Sequence, residues 1–188
     1  MTTNRKLLLF IASSVDGFIA TEDESLEWLF EVEGEGDNGY AEFYATVDTL
    51  VMGRKTYDWI MNQDLEEFPY KNKDCFVFTH SFTEHTADVT FIRDDPTSFI
   101  DALKKQAGKN IWLVGGGQLF SSFLQENLVD ELIITVAPVL LGKGIPLFRG
   151  GYAQTGLFLK GMRNFNQFVE LHYTVLQPGQ LGTEHRCF

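Results

Sequence analysis

Eight short runs of apolar, β-branched and aromatic residues recur along the chain, each bounded by Gly, Asp, Asn or Pro: residues 7–12, 49–52, 75–79, 89–92, 111–114, 131–137, 157–160 and 168–176. Runs of this length and composition predict strands. Between them the apolar spacing changes to that of helices. Tyr40, Phe43, Tyr44 and Val47 follow i, i+3, i+4, i+7; residues 55–61 make a second helix. Phe99 and Leu103 follow Pro96 and the cap Thr97, and Leu119, Phe120, Phe123 and Leu124 form a last helix that Leu128 closes. Ser25 is placed to cap a short helical turn holding Trp28 and Phe30.

Strands and helices alternate to about residue 137, and most strands are apolar throughout, as expected of a largely parallel sheet covered on both faces. The last two strands are joined without a helix and read as an antiparallel hairpin. The expected fold is therefore a three-layer α/β/α structure with about eight strands in a mostly parallel mixed sheet. No linker or internal repeat divides it, so residues 1–177 are expected to form one domain, with 178–188 a polar tail.

Composition narrows the function. With 44% hydrophobic and 22% charged residues the chain can bury a core. The net charge is −11, which disfavours non-specific binding to nucleic acid or anionic lipid, so an anionic ligand would have to be met by local charge. Eight of the 26 acids fall within residues 22–37, where there is no Lys or Arg. The N-terminal apolar run is too short to span a membrane. Two distant cysteines, Cys75 and Cys187, suggest no disulfide framework and point to a reducing cytoplasm; Cys75 reads as a small buried residue.

Several catalytic signatures are absent. Gly115-Gly116-Gly117 lacks the last glycine of G-x-G-x-x-G, because Phe120 stands there, and neither Gly-Lys pair is followed by Ser or Thr. No His-Glu-x-x-His or G-x-S-x-G occurs, and two cysteines build no structural zinc site, so no metal is expected. Two strand-to-helix turns remain: Gly53, Arg54, Lys55, Thr56, and Gly115 to Gly117 followed by Gln118. Free amides at a helix start attract phosphate oxygens, and glycine lets an anion approach the backbone. Such glycines also serve tight packing between a helix and a strand, and either role fits.

The pair of turns looks like the dihydrofolate reductase fold. Together with SSVDGFIA, LVMGRKTYDW, WLVGGGQLF and VDELIITVAPVLLGKGIPLF, it resembles more closely the stand-alone form of the reductase domain of the bifunctional riboflavin-biosynthesis deaminase-reductase, from Leu7 to Leu176. The resemblance implies a cytoplasmic NADPH-dependent oxidoreductase acting on a small pterin- or pyrimidine-like heterocycle or carbonyl, of the 5-amino-6-(5-phosphoribosylamino)uracil reductase type. It implies cofactor contacts at Ala12 and Ile19, at Gly53, Arg54, Lys55 and Thr56, at Thr79, His80 and Ser81, and at Gly115, Gly116, Gly117, Gln118, Leu119 and Phe120. Arg93 is a further source of charge for the adenosine end.

The same resemblance places an acid at the start of the first long helix, where Asp37 stands; Asp16 and Glu42 compete for the role. Asp37 is equally a natural helix cap, and Asp16-Gly17 a plain turn. Trp28, Tyr40, Phe43 and Tyr44 are candidates for stacking on substrate, although aromatic residues at helical spacing also fill cores. The eight carboxylates of residues 22–37 would repel a ribose phosphate. A homodimer is expected, with the apolar loop 136–148 as its surface. Two rival readings are a true dihydrofolate reductase and a non-catalytic NADPH-binding or sensing protein.

Overall fold

A computed structural model describes residues 5–81 and 84–178. Its main sheet contains all eight expected strands: β1 (Leu7–Ser14), β3 (Val47–Gly53), β4 (Asp74–Phe78), β5 (Thr90–Ile92), β6 (Asn110–Gly115), β7 (Glu131–Ala137), β9 (Leu157–Phe165) and β10 (Phe168–Val175). Their order is β5-β4-β3-β6-β1-β7-β10-β9. The first six run parallel, while β10 is antiparallel to both β7 and β9.

Alternating side chains of β1 feed two cores, as strand geometry requires. Leu7 and Leu9 pack with Ile100, Phe120 and Phe123 on the side of α4 (Pro96–Lys104) and α5 (Gly117–Gln125). Leu8 packs with Phe43, Met52 and Ile60 on the side of α2 (Tyr40–Ala45) and α3 (Arg54–Met61). Cys75 is buried in this second core and unpaired, and burial pushes its thiol pKa up to about 12. It is a packing residue, too poorly ionised to act as a nucleophile.

Local expectations are corrected at α4 and β3, and a small second sheet was not foreseen. The cap of α4 is Asp95, whose carboxylate accepts from the Ser98 amide at 2.8 Å, and not Thr97. Pro96 has no N–H to lose at the first helical position and holds the preceding residue extended, so the cap falls on Asp95, two residues earlier. Val47 belongs to β3, not to the helix of Tyr40; the Lys73 ammonium donates to its carbonyl at 2.7 Å, and to that of Tyr44 at 3.2 Å, where α2 ends. A second, two-stranded sheet joins β2 (Phe18–Ala20) to β8 (Ile145–Pro146). Strands of two or three residues leave no periodic trace in a sequence. Residues 27–30 do form the short helix α1 (Glu27–Phe30), but its N-cap is Leu26 and not Ser25, whose Oγ accepts from the Glu27 amide at 3.2 Å. Most of the polar tail, with Cys187, lies outside the described residues.

Candidate cofactor and substrate groove

Because β3 and β6 are parallel neighbours, their carboxyl ends reach the same edge, with Met52 beside Gly115. The helices that follow, α3 and α5, therefore start side by side. A methyl group placed on Gly116 would come within 3.2 Å of Thr56 Oγ1. Neither helix is capped by a side chain. Their first-turn amides have no intrahelical acceptor and carry the positive end of each helix dipole. Gly115 (φ +152) and Gly116 (φ +99) hold backbone conformations that side chains rarely adopt, and a Cβ on Gly115 would meet nothing within 4 Å. The turn is thus open as well as glycine-dependent.

The two turns border a groove of about 740 Å³, within the usual size of a small-molecule site. Gly53 to Thr56 line it from α3, and Gly115 to Leu119 from α5. Ala12 and Ile19 contribute from the β1–β2 unit, Thr79 and His80 from the end of β4, and Arg93 from the end of β5. Two expected residues do not line it. Phe120 points into the core, 1% exposed. Ser81 turns back on Thr79, its amide donating to Thr79 Oγ1 at 3.2 Å.

The groove holds four of the chain's 15 basic side chains, Arg54, Lys55, Arg93 and Arg149, but only Glu24, Asp94 and Asp95 of its 26 acids. The charge balance is locally reversed, as an anion site on an acidic protein requires. Asp95 is committed to capping α4. Arg54 is braced by Asp58 at 2.7 Å and lies 5.5 Å from the Phe91 ring centroid. Of the eight acids of residues 22–37, only Glu24 lines the groove.

The acids and aromatics named from the sequence lie elsewhere. Asp37 accepts from the Gly39 and Ala41 amides at 3.0 and 2.8 Å and so holds the start of α2. Asp16 accepts from Ser14 Oγ at 2.6 Å and from the Gly142 and Leu141 amides at 2.7 and 3.1 Å. The Ser14 bond and these amides hold its pKa below the ordinary value. Glu42 pairs with Arg163 at 2.5 Å. Tyr40 and Tyr44 stack at 5.5 Å and Phe43 stacks on Phe10 at 4.1 Å, with Trp112 edge-on to all four. Burial pushes the Tyr40 hydroxyl to about 12. Trp28 packs with Ala137 and Phe168. None of Asp16, Asp37, Trp28, Tyr40, Phe43 or Tyr44 is among the groove's lining residues.

The groove also has walls that the sequence reading missed. Leu26 and Leu29 line it beside α1, with Glu24 and Trp59. The Trp59 indole donates to the Glu24 carbonyl at 3.2 Å and so ties α3 to this wall. Trp59 stands four residues after Lys55, on the same face of α3, so helical spacing could have found it. Arg149 carried no such signal.

In chemical terms the groove offers a cationic, amide-rich floor for phosphates and an apolar wall with one carboxylate for a planar ring. A family model described as the RibD C-terminal domain matches residues 5–171. The chain is 50% identical over 170 residues to the uncharacterized protein YwjB of Bacillus subtilis, covering 90% of this chain and 97% of that one. Among solved structures it superposes on a putative riboflavin biosynthesis protein from Shewanella sp. PV-4 with TM-score 0.83 and 31% identity, covering 92% and 99% of the two chains. It also superposes on dihydrofolate reductase from Enterococcus faecalis complexed with NADP(H), with TM-score 0.61 and 15% identity, covering 94% and 100%.

Proposed function

The chain belongs to the RibD C-terminal domain family, a reductase family of the riboflavin pathway with the dihydrofolate-reductase-like fold, and from that premise we propose that it is an NADPH-dependent reductase of a small pterin- or pyrimidine-like heterocycle. The observation that carries this reading is the abutment of two uncapped helix starts, Gly53–Thr56 and Gly115–Leu119, on a groove richer in cations than the rest of the chain. Glycines open to the groove and helix starts without side-chain caps fit a dinucleotide diphosphate. His80 and Arg93 are our candidates for the adenosine end, and Ala12 and Ile19 for the nicotinamide end. When bound, a reduced nicotinamide supplies hydride to an electrophilic C=N or C=O carbon.

The protein's own part is to orient the reactants and to leave the acceptor a route to a proton. Asp16 bonds the turn after β1 to the Leu141 and Gly142 amides, which steadies Ala12 and Ile19. Leu26, Leu29 and Trp59 offer an apolar bed for a flat acceptor. Asp16 is held ionised and Asp37 is engaged by two amides, so we assign the proton to solvent at the open side of the groove, beside Glu24. A phosphoribosyl acceptor is electrostatically admissible, since seven of the eight acids of residues 22–37 lie off the lining.

The test is a titration of the purified protein with NADPH by fluorescence or calorimetry, followed by an acceptor panel containing phosphoribosylaminouracil, pterin and dihydrofolate compounds. Micromolar binding with oxidation by a uracil- or pterin-type acceptor is expected. No signal at millimolar NADPH would sink the reading. Dihydrofolate turnover with methotrexate binding would instead make it a true dihydrofolate reductase, and binding without oxidation a nucleotide sensor.

We further propose a homodimer. Loop 136–148 spends most of its apolar residues internally, with Leu147 1% exposed and Val139 and Leu141 packed on the Trp28 cluster. The surface that supports association is β9, an edge strand carrying exposed Leu157, Phe158, Leu159 and Met162.

A further inference from the structure

Arg149 lies on the segment after β8, far in sequence from either glycine turn, yet it lines the groove. Its backbone position is held from both sides. Leu147 is buried and donates its amide to the Gly17 carbonyl at 2.9 Å, and Phe148 lies 5.7 Å from the Phe120 ring of α5. On the other side, Gln125 of α5 donates to the Gly151 carbonyl. The side chain then lies over the first residue of α5. A Cβ on Gly117 would come within 2.9 Å of Arg149 Nε and 3.4 Å of its Cδ. Gly117 is helical and, unlike Gly115 and Gly116, has no left-handed φ. Its missing side chain is therefore explained by space, and Arg149, with the Pro146 carbonyl at 3.0 Å, occupies that space. Among the described residues the guanidinium has no hydrogen-bond or ion-pair partner.

We infer that Arg149 is a ligand-binding residue of the groove that clamps a diphosphate against the start of α5, and that the third glycine exists to admit it. The inference rests on reading the groove as a dinucleotide site. A planar fork of N–H donors suits phosphate oxygens, and among the described residues the guanidinium is free of competing partners where the α5 amides begin. The same segment pairs through β8 with β2, and Gly17 and Leu147 bond across the junction. A diphosphate held by Arg149 thereby also steadies the β1–β2 unit that carries Ile19.

The experiment measures dissociation constants of NADPH and ADP by calorimetry for the wild type and for R149Q, R149K, G117A and the R149Q/G117A double variant. Arg149 is exposed, so R149Q is expected to melt as the wild type does. R149Q should weaken both ligands about tenfold, the loss of one charge-assisted hydrogen-bonding group, and R149K should recover part of the loss. G117A should weaken binding in the wild-type background and add little to R149Q; the Pro146 carbonyl presses on the new methyl in both, so the cycle isolates the Arg149 share. Unchanged affinities in R149Q, or additive losses in the double variant, overturn the inference. If ADP binds in an Arg149-dependent way and NADPH does not bind, the clamp stands and the reductase reading falls. If the wild type binds neither ligand, both fall.

Discussion

Gly53 and Gly116 are alike in sequence context and unlike in physical demand. Gly116 sits at φ +99 with Thr56 Oγ1 beside its absent Cβ, so any side chain there strains the backbone before it meets a ligand. Gly53 has an extended φ of −80°, and a Cβ on it would touch only Leu119, at 4.0 Å. Gly53 is also the N-cap of α3, a position that aspartate suits. Gly53→Asp is therefore expected to fold with stability equal to or a few tenths of a kcal/mol above wild type. Its carboxylate would compete for the amides that a phosphate needs, and NADPH affinity should fall at least tenfold. A melting curve and a titration on one preparation check both halves; retained affinity would remove α3 from the binding site. Asp37 illustrates the opposite case, a residue whose role its neighbours absorb: two amides occupy its carboxylate.

Among the elements, the C-terminal hairpin is held to the parallel sheet by one buried carboxylate as well as by its ladder. Glu131 opens β7 and is 4% exposed. Its Oε1 accepts from Lys6 at 2.6 Å, ahead of β1, and from Lys160 of β9 at 2.9 Å, while Oε2 lies 2.7 Å from His172 Nε2 of β10. Burial pushes the Glu131 pKa up, but the bonds to Lys6, Lys160 and His172 outweigh it and hold the pKa at about 2, against an ordinary 4.5. A depressed pKa in the folded state means that the contribution is complete above pH 4.5 and is lost as the pH falls toward 2. Glu131→Gln should cost on the order of 2 kcal/mol at neutral pH. Urea unfolding of the two proteins should converge as the pH drops from 4.5 to 2. Parallel curves over that range would show that Glu131 titrates at its ordinary value.

For the whole molecule, the open question of association falls to the sheet's two edges. The β5 edge is three residues long, whereas β9 has nine, each at least partly exposed. A long apolar edge strand is a template for pairing with another chain, and an isologous contact closes on itself as a dimer. Light scattering is expected to give twice the 21.4 kDa chain mass. Met162→Lys, a change at a side chain 73% exposed, should return the monomer with its fold intact. A monomeric wild type would rule the dimer out. Among the described residues no helix is long and apolar enough to cross a membrane.

The eight strands of the main sheet and the two glycine turns were legible in the sequence because their signals are local. Buried parallel strands are apolar from end to end, and a chain that leaves a strand to begin a helix at a site of close approach needs glycine. The cap of α4 was read two residues too late because Pro96 shifts the helix boundary, and β2 and β8 went unseen because each has meaning only beside the other. Helical spacing identified Tyr40, Phe43 and Tyr44 as one face, but a period cannot say whether that face meets a ligand or Trp112. That was decided by which strands lie next to one another, as was the passage of Arg149 over Gly117. Such contacts join residues through the packed sheet rather than along the chain, so they arise only once the chain has folded.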